Sequence, residues 1–332
     1  MHRSNLLLSI VIVPLLGLGA CDPATGEPIG LEADPSLHPI AHSDALVAED
    51  DAMQAVPGVA MEVAVVGDDA VLEWEPIPGA VQYGVSRGSG PYFTPGPFGA
   101  SGALSTFLGS VWAAGGETSF SFADAGAASG DDHRYYRVVG WDSNGVVMGY
   151  TTTTAMMVFD LVEGANNVGI PLLDASIDSG SAVLDALPDA LWAGRWNASS
   201  QSWQAFNGTG PAPDFALDSG EAFAVCMGAA GRLHLTGVVP QPTGDLDLAI
   251  DVGRSFVAAP LRLTMEPGDF YLPAPGVPAS EIFDALDFVH RLSEWDPATM
   301  SFVNYRDRPD DVDFQVEIGQ ALWLGATEPG VW

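Results

Sequence analysis

The residues that could do chemistry are few and scattered. Gly84-Val85-Ser86-Arg87-Gly88 matches the Gly-x-Ser-x-Gly pattern, which activates a serine only where a strand turns sharply into a helix. Gly88-Ser89-Gly90-Pro91 follows, and such a run cannot start a helix of any length. Ser86 is therefore expected mid-strand, without a catalytic role. His133, His234 and His290 fall outside any His-x-x-Glu-His or Cys-x-x-Cys frame, so zinc has no support. Asp307, Asp310, Asp311 and Asp313 crowd one stretch. They could gather oxygens around calcium, but the glycine and terminal glutamate of an EF-hand loop are missing. There, as around Asp245, Asp247 and Asp251, the expectation is a solvated acidic loop. Cys226 lies in the apolar run Ala222–Met227, where a buried, inert thiol is expected. No catalytic constellation, metal site or cofactor motif emerges.

Charge narrows the partners. Acidic residues number 43 against 11 basic ones, a formal net charge of −32, and the chain has no lysine. Schiff-base and P-loop lysine chemistry are excluded. Nucleic acid and anionic lipid headgroups are repelled. With so many carboxylates, two lying near one another say almost nothing about acid–base catalysis. The acidity reads as solubility at high salt; the alternative is a weak divalent-cation coat that orders the acidic loops. Asn197-Ala198-Ser199 and Asn207-Gly208-Thr209 match glycosylation sequons, which matter only in hosts that use them. One segment is a candidate for binding. Gly90–Phe98 carries Tyr92, Phe93 and Phe98 among prolines and glycines, and loops on a rigid scaffold often bind. The alternative is that these aromatics fold back onto the domain.

The N-terminus carries an address. After Met-His-Arg-Ser-Asn, Leu6–Gly19 is an apolar stretch of about 14 residues, too short to span roughly 30 Å of hydrocarbon as a helix. A basic start, a short apolar core and small residues mark a secretory signal. Leu18-Gly19-Ala20-Cys21 resembles the lipobox of bacterial lipoproteins. The resemblance implies cleavage before Cys21, acyl chains on that cysteine, and anchoring to a membrane of the cell envelope. The alternative is an ordinary secretory signal with a chance cysteine, which would leave a Cys21–Cys226 bridge conceivable. Residues 21–55 then hold Pro23, Pro28, Pro35 and Pro39 and no basic residue, a composition that cannot bury a core. This is expected to be an extended stalk. His38 and His42 within it make a poor metal site.

Residues 56–158 read as short strands. Met61–Val66 and Ala70–Trp74 flank Gly67-Asp68-Asp69, and Val81–Arg87 alternates as a half-buried strand should. Ser119–Phe122 and Tyr135–Val139 follow, and Asp142-Ser143-Asn144-Gly145 is a turn. Leu72-Glu73-Trp74, Tyr83–Arg87 and Tyr136–Gly145 resemble a bacterial fibronectin type III domain. The resemblance implies an Ig-like β-sandwich with Trp74 and Tyr83 in its core. One departure is that the corner tyrosine of the family falls at Arg134, with Tyr136 two residues on.

Beyond 159 the chain repeats itself. Ser181–Val225 aligns without a gap on Ser280–Leu324, matching Trp196 with Trp295, Trp203 with Phe302 and Asp214 with Asp313. Upstream, Gly164, Val168, Pro171 and Leu172 match Gly253, Val257, Pro260 and Leu261 at an offset about ten residues smaller. The second copy thus has extra residues around Pro273–Pro278. Each copy is expected to hold a strand, a short helix (Ala182–Leu187 or Glu281–Leu286) and further strands. The unit resembles a repeat found at the end of secreted bacterial proteins, often after fibronectin type III domains.

The expected organisation is a signal peptide over 1–20, a stalk over 21–55, the sandwich over 56–158, and α+β units over 159–240 and 241–332. The fold class is mainly β. The expected function is non-catalytic: display, adhesion or assembly at the cell envelope, through envelope proteins or glycans, with no cofactor. A glycan-binding accessory role in polysaccharide processing, or a hydrolase with a site between the repeats, are the alternatives.

Overall fold

In the computed structural model the described residues are 59–93, 95, 101, 105–209, 213–240, 248–260 and 276–332. Cys21, the signal segment, the stalk to residue 55, Phe98, Asp245 and Asp247 lie outside them. The chain is mainly β, built from antiparallel sheets with two short α-helices among the described residues. Its first part contains β1 (Met61–Val66), β2 (Asp69–Trp74), β3 (Gln82–Gly88), β4 (Ser105–Trp112), β5 (Phe120–Asp124), β6 (Arg134–Trp141), β7 (Val147–Tyr150) and β8 (Thr154–Leu161). β1, β2 and β5 form one sheet, and β4-β3-β6-β8 form the facing sheet with β7 paired to β6. Trp74, Tyr83 and Phe120 meet between the sheets; Trp74 and Tyr83 pack edge-on at 5.9 Å, a favoured aromatic geometry. The turn after β6 closes as its residues require: Gly145 has φ 80°, and the Asp142 carboxylate accepts from the amides of Asn144 and Val146.

β4 intervenes between β3 and β5, where the sequence suggested only a connecting loop. It is an edge strand, mostly half-exposed, so its side chains lack the regular alternation that marks a half-buried strand.

The second sheet is covered on both faces. Tyr136, Val138, Met156 and Val158 point into the sandwich. Tyr135, Ala155, Met157 and Leu161 point the other way, into a core shared with Ile170, Leu172, Phe223 and Leu233 of the following unit. Hence β6 and β8 are buried almost throughout and read as apolar runs rather than alternating ones.

That unit contains β9 (Gly164–Gly169), α1 (Gly180–Ala186), β10 (Ala190–Asn197), β11 (Ser202–Phe206), β12 (Ala222–Met227) and β13 (Gly231–Val238). β13 leaves its own unit and pairs with β8 over eight residues, from Gly231↔Leu161 to Val238↔Thr154. The sandwich sheet thus ends on a strand from the repeat, and the division expected at 158/159 falls inside β8. Arg232 fastens the join, donating to Asp160 at 2.8 Å and Asp131 at 2.5 Å.

The last unit contains β14 (Ala249–Ile250), β15 (Gly253–Ala258), β16 (Val277–Pro278), α2 (Ala279–Ala285), β17 (Val289–Asp296), β18 (Ser301–Tyr305), β19 (Gln315–Val316), β20 (Ala321–Ala326) and β21 (Gly330–Val331). The sheets β11-β10-β12-β9 and β18-β17-β20-β15 have the same order, and equivalent strands begin and end at equivalent residues. Details repeat too. Gln201 and Met300 both take positive φ. The Asp214 and Asp313 carboxylates accept from the amides and hydroxyls of Ser181 and Ser280 at the two helix starts. These contacts let each helix begin about two residues earlier than the sequence suggests, at Gly180 and Ala279.

Inside the sandwich, Asp124 receives the Arg87 guanidinium at 2.7 Å and the Tyr136 hydroxyl at 3.0 Å. Burial, then the adjoining carboxylate, raises the Tyr136 phenol above its usual range. Asp124 thus ties β5 of one sheet to β3 and β6 of the other. The Tyr83 hydroxyl accepts from the Ile77 amide at 3.2 Å, a tether from tyrosine to backbone. Truncating Asp124 would strand two partners. We expect Asp124→Ala to cost about 2–4 kcal/mol, read as a lowered urea midpoint, and Tyr136→Phe to cost less, because the ion pair survives.

Candidate functional site

The Gly-x-Ser-x-Gly serine is structural. Ser86 is 3% exposed within β3, paired to β4 and β6. The flanking glycines have packing reasons: a Cβ on Gly84 would meet the Trp141 ring at 2.4 Å, and one on Gly88 the Phe93 ring at 2.2 Å. Phe93, a candidate ligand residue, is 3% exposed and belongs to the core shared with the first repeat, with Tyr92 half-buried against it. Tyr92 and Phe93 fold back, as the alternative reading of this loop has it.

The histidines have separate hydrogen-bond or packing partners. The His133 ring accepts the Val158 amide on Nδ1 at 3.1 Å, and desolvation lowers its pKa. His234 Nε2 lies 2.9 Å from the Ala128 carbonyl, and His290 packs beside Gly325. Among the described residues no group of three or more His, Cys, Asp or Glu converges as a metal site. In the acidic loop, Asp313 holds Ser280, and Asp311 accepts from the amides of Arg306 and Arg308.

Cys226 is 2% exposed on β12, buried as its apolar run leads one to expect.

What the structure does assemble is a seam between the two repeats, in which contacts occur in equivalent pairs. Trp196 Nε1 donates to the Arg254 carbonyl at 2.8 Å, and Trp295 Nε1 donates to the Ala165 carbonyl at 2.8 Å. Ala258 N donates to Gly220 O at 2.9 Å and Gly169 N to Gly319 O at 3.2 Å. Gly253 lies against Gln201, and Gly164 against Met300. Each repeat thus uses the same patch on the other, the mark of a two-fold interface. A Cβ on Gly169 would sit 2.5 Å from the Gly319 carbonyl, so glycine permits this approach. Between the sheets Trp196, Trp203, Phe256 and Trp323 form an aromatic cluster, with Phe256 and Trp323 stacked at 4.7 Å.

Symmetry fails at the centre. Where the second repeat has Phe256 and Trp323, the first has Asn167 and Ala224. The smaller pair leaves a small hollow with room for about one water, lined also by Ala165, Trp192, Trp295 and Trp323. The Trp323 Nε1 is buried without a hydrogen-bond partner. The sequence repeat located Trp196, Trp203 and Trp295, but the reciprocal use of Trp196 and Trp295 required the two sheets in place.

A scan against protein-family models finds no match, and the comparison with curated proteins finds no relative.

The seam makes a quantitative demand. Trp295→Phe and Trp196→Phe keep an aromatic ring but lose the indole donor, and each should cost about 1 kcal/mol. The loss should be smaller at Trp196, because Gln201 Nε2 also donates to the Arg254 carbonyl at 2.9 Å. Denaturant unfolding of the two variants checks the order.

Proposed function

We propose that this protein is a non-catalytic lipoprotein of the cell envelope, held to a membrane through acyl chains on Cys21. We further propose that a fibronectin type III-like sandwich and two fused repeats are displayed beyond the stalk for adhesion or assembly. The observation that carries the reading is Leu18-Gly19-Ala20-Cys21 at the end of a short apolar segment. Two or three acyl chains hold where one would not, since each buried CH₂ adds about 0.8 kcal/mol. Ser86 deep in a strand and the dispersed histidines support a binding rather than a chemical role.

A second reading, glycan binding by the repeats, is favoured by one specific feature: the half-buried tryptophans Trp196, Trp203, Trp295 and Trp323 gathered along the seam. It differs from the first in the partner, not in the address.

Export of the full-length protein and of Cys21→Ala in a bacterial host tests the anchoring. Wild type should fractionate with membranes, and the variant should be released or accumulate uncleaved. A soluble, processed wild type would refute the anchor. External protease then separates surface display, which predicts shaving, from a periplasmic face, which predicts protection.

A further inference from the structure

The second repeat carries a row of arginines across its sheet. Arg254 of β15 pairs with Gly325 of β20, and Gly325 pairs in turn with Arg291 of β17. One step beyond the Leu292↔Tyr305 pair of β17 and β18 stands Arg306. Side chains of laterally paired residues share a sheet face; Gly325, between Arg254 and Arg291, has no side chain, and the His290 ring packs over it. Three of the chain's 11 basic residues therefore gather on one face of a protein of net charge −32.

The gathering is not neutralised from within. Among the described residues none of the three is ion-paired with a carboxylate, whereas Arg87, Arg134, Arg195 and Arg232 all are. Asp311 acts on Arg291, but this carboxylate already accepts the Arg306 and Arg308 amides. Desolvation, then Arg306 and Arg254, brings the Arg291 guanidinium down to about 10, so the cluster is held at an electrostatic cost. Arg291 is also fixed in place: its Nε donates to Ser293 Oγ at 3.1 Å and Asn304 Oδ1 at 3.0 Å. The first repeat has Ala165, Cys226 and Trp192 in the equivalent row, so the fold of the repeat does not need arginines there. The adjoining row on the same face is Phe256, Trp323 and Ser293, which places a half-buried tryptophan beside the guanidiniums.

We propose that Arg254, Arg291 and Arg306 bind the oxyanion of an acidic saccharide, a carboxylate or sulfate ester, whose ring lies toward Trp323. Guanidinium forks match such groups in pairs of parallel hydrogen bonds. The acidic remainder of the surface repels densely charged polymers, so the site suits a sparsely charged glycan rather than nucleic acid. The inference rests on the glycan-binding reading and is independent of the anchor.

Titration of the full-length protein with a short oligogalacturonate, and with its methyl ester as the same rings without charge, tests it. The acid should bind, more weakly as salt rises, and the ester at least about tenfold less well. Arg254→Gln/Arg306→Gln should lose about tenfold or more in affinity for the acid, and Arg134→Gln, which removes a distant charge, should lose little. Without ligand the double variant should melt no lower than wild type, since like-charge repulsion is relieved. Absence of binding by wild type, equal binding of acid and ester, equal loss in Arg134→Gln, or unchanged affinity in the double variant would each overturn the proposal. So would a marked fall in the double variant's own stability, which would make the row structural. Membrane fractionation is unaffected by these substitutions, so the site can fail while the anchor stands.

Discussion

The reciprocal packing of the two repeats is the constraint around which the second half of the molecule is arranged. Each repeat offers a hairpin tryptophan to a first-strand carbonyl of the other, and each brings a glycine close enough for backbone-to-backbone hydrogen bonding. Neither sheet could leave this face in water without exposing Trp196, Trp203, Trp323 and Phe256 together. Aromatic side chains bury the largest areas available to small units, so the pairing gives each repeat the core partner it lacks alone. Fusing two copies in one chain makes the pairing independent of concentration.

The same logic joins the repeats to the sandwich. β13 completes the sandwich sheet, and that sheet's outer face is roofed by Phe223, Leu172 and Ile170. Gly319 of the second repeat reaches this block as well, with Met157 and Pro171 close by. Separate domains on flexible linkers would share no strand and no core; here both are shared. Once the scaffold is rigid, asymmetry between the repeats becomes informative. The hollow beside Asn167 and Ala224 and the arginine row beside Gly325 are both departures from a pattern that the fold otherwise repeats.

Much of the architecture could be read from the sequence because it is written twice. Trp196 with Trp295 and Asp214 with Asp313 sit in equivalent strands and helix caps, since each pair meets the same local demand. Trp74 and Tyr83 were legible as sandwich core through a family resemblance, not through alternation, since β3 is buried along nearly its whole length. What escaped depends on long-range pairing. Nothing local in Gly231–Val238 says that it will pair with β8 rather than within its own sheet. Arg254, Arg291 and Arg306 are remote in sequence and become neighbours only through strand register. Phe93 looked like an exposed loop aromatic because the core that receives it comes from a later repeat.

The account of the protein's address turns on one sulphur atom. Acylation of Cys21 occupies the atom that a bond to Cys226 would need, and Cys226 is buried on β12. Both outcomes suit an exported chain, yet one molecule cannot carry both. The intact mass of the protein recovered from the envelope without reductant separates them. The lipoprotein account predicts a chain beginning at Cys21 with the added mass of a diacylglyceryl group, unchanged on reduction. An unlipidated chain that gains two hydrogens on reduction would contradict it.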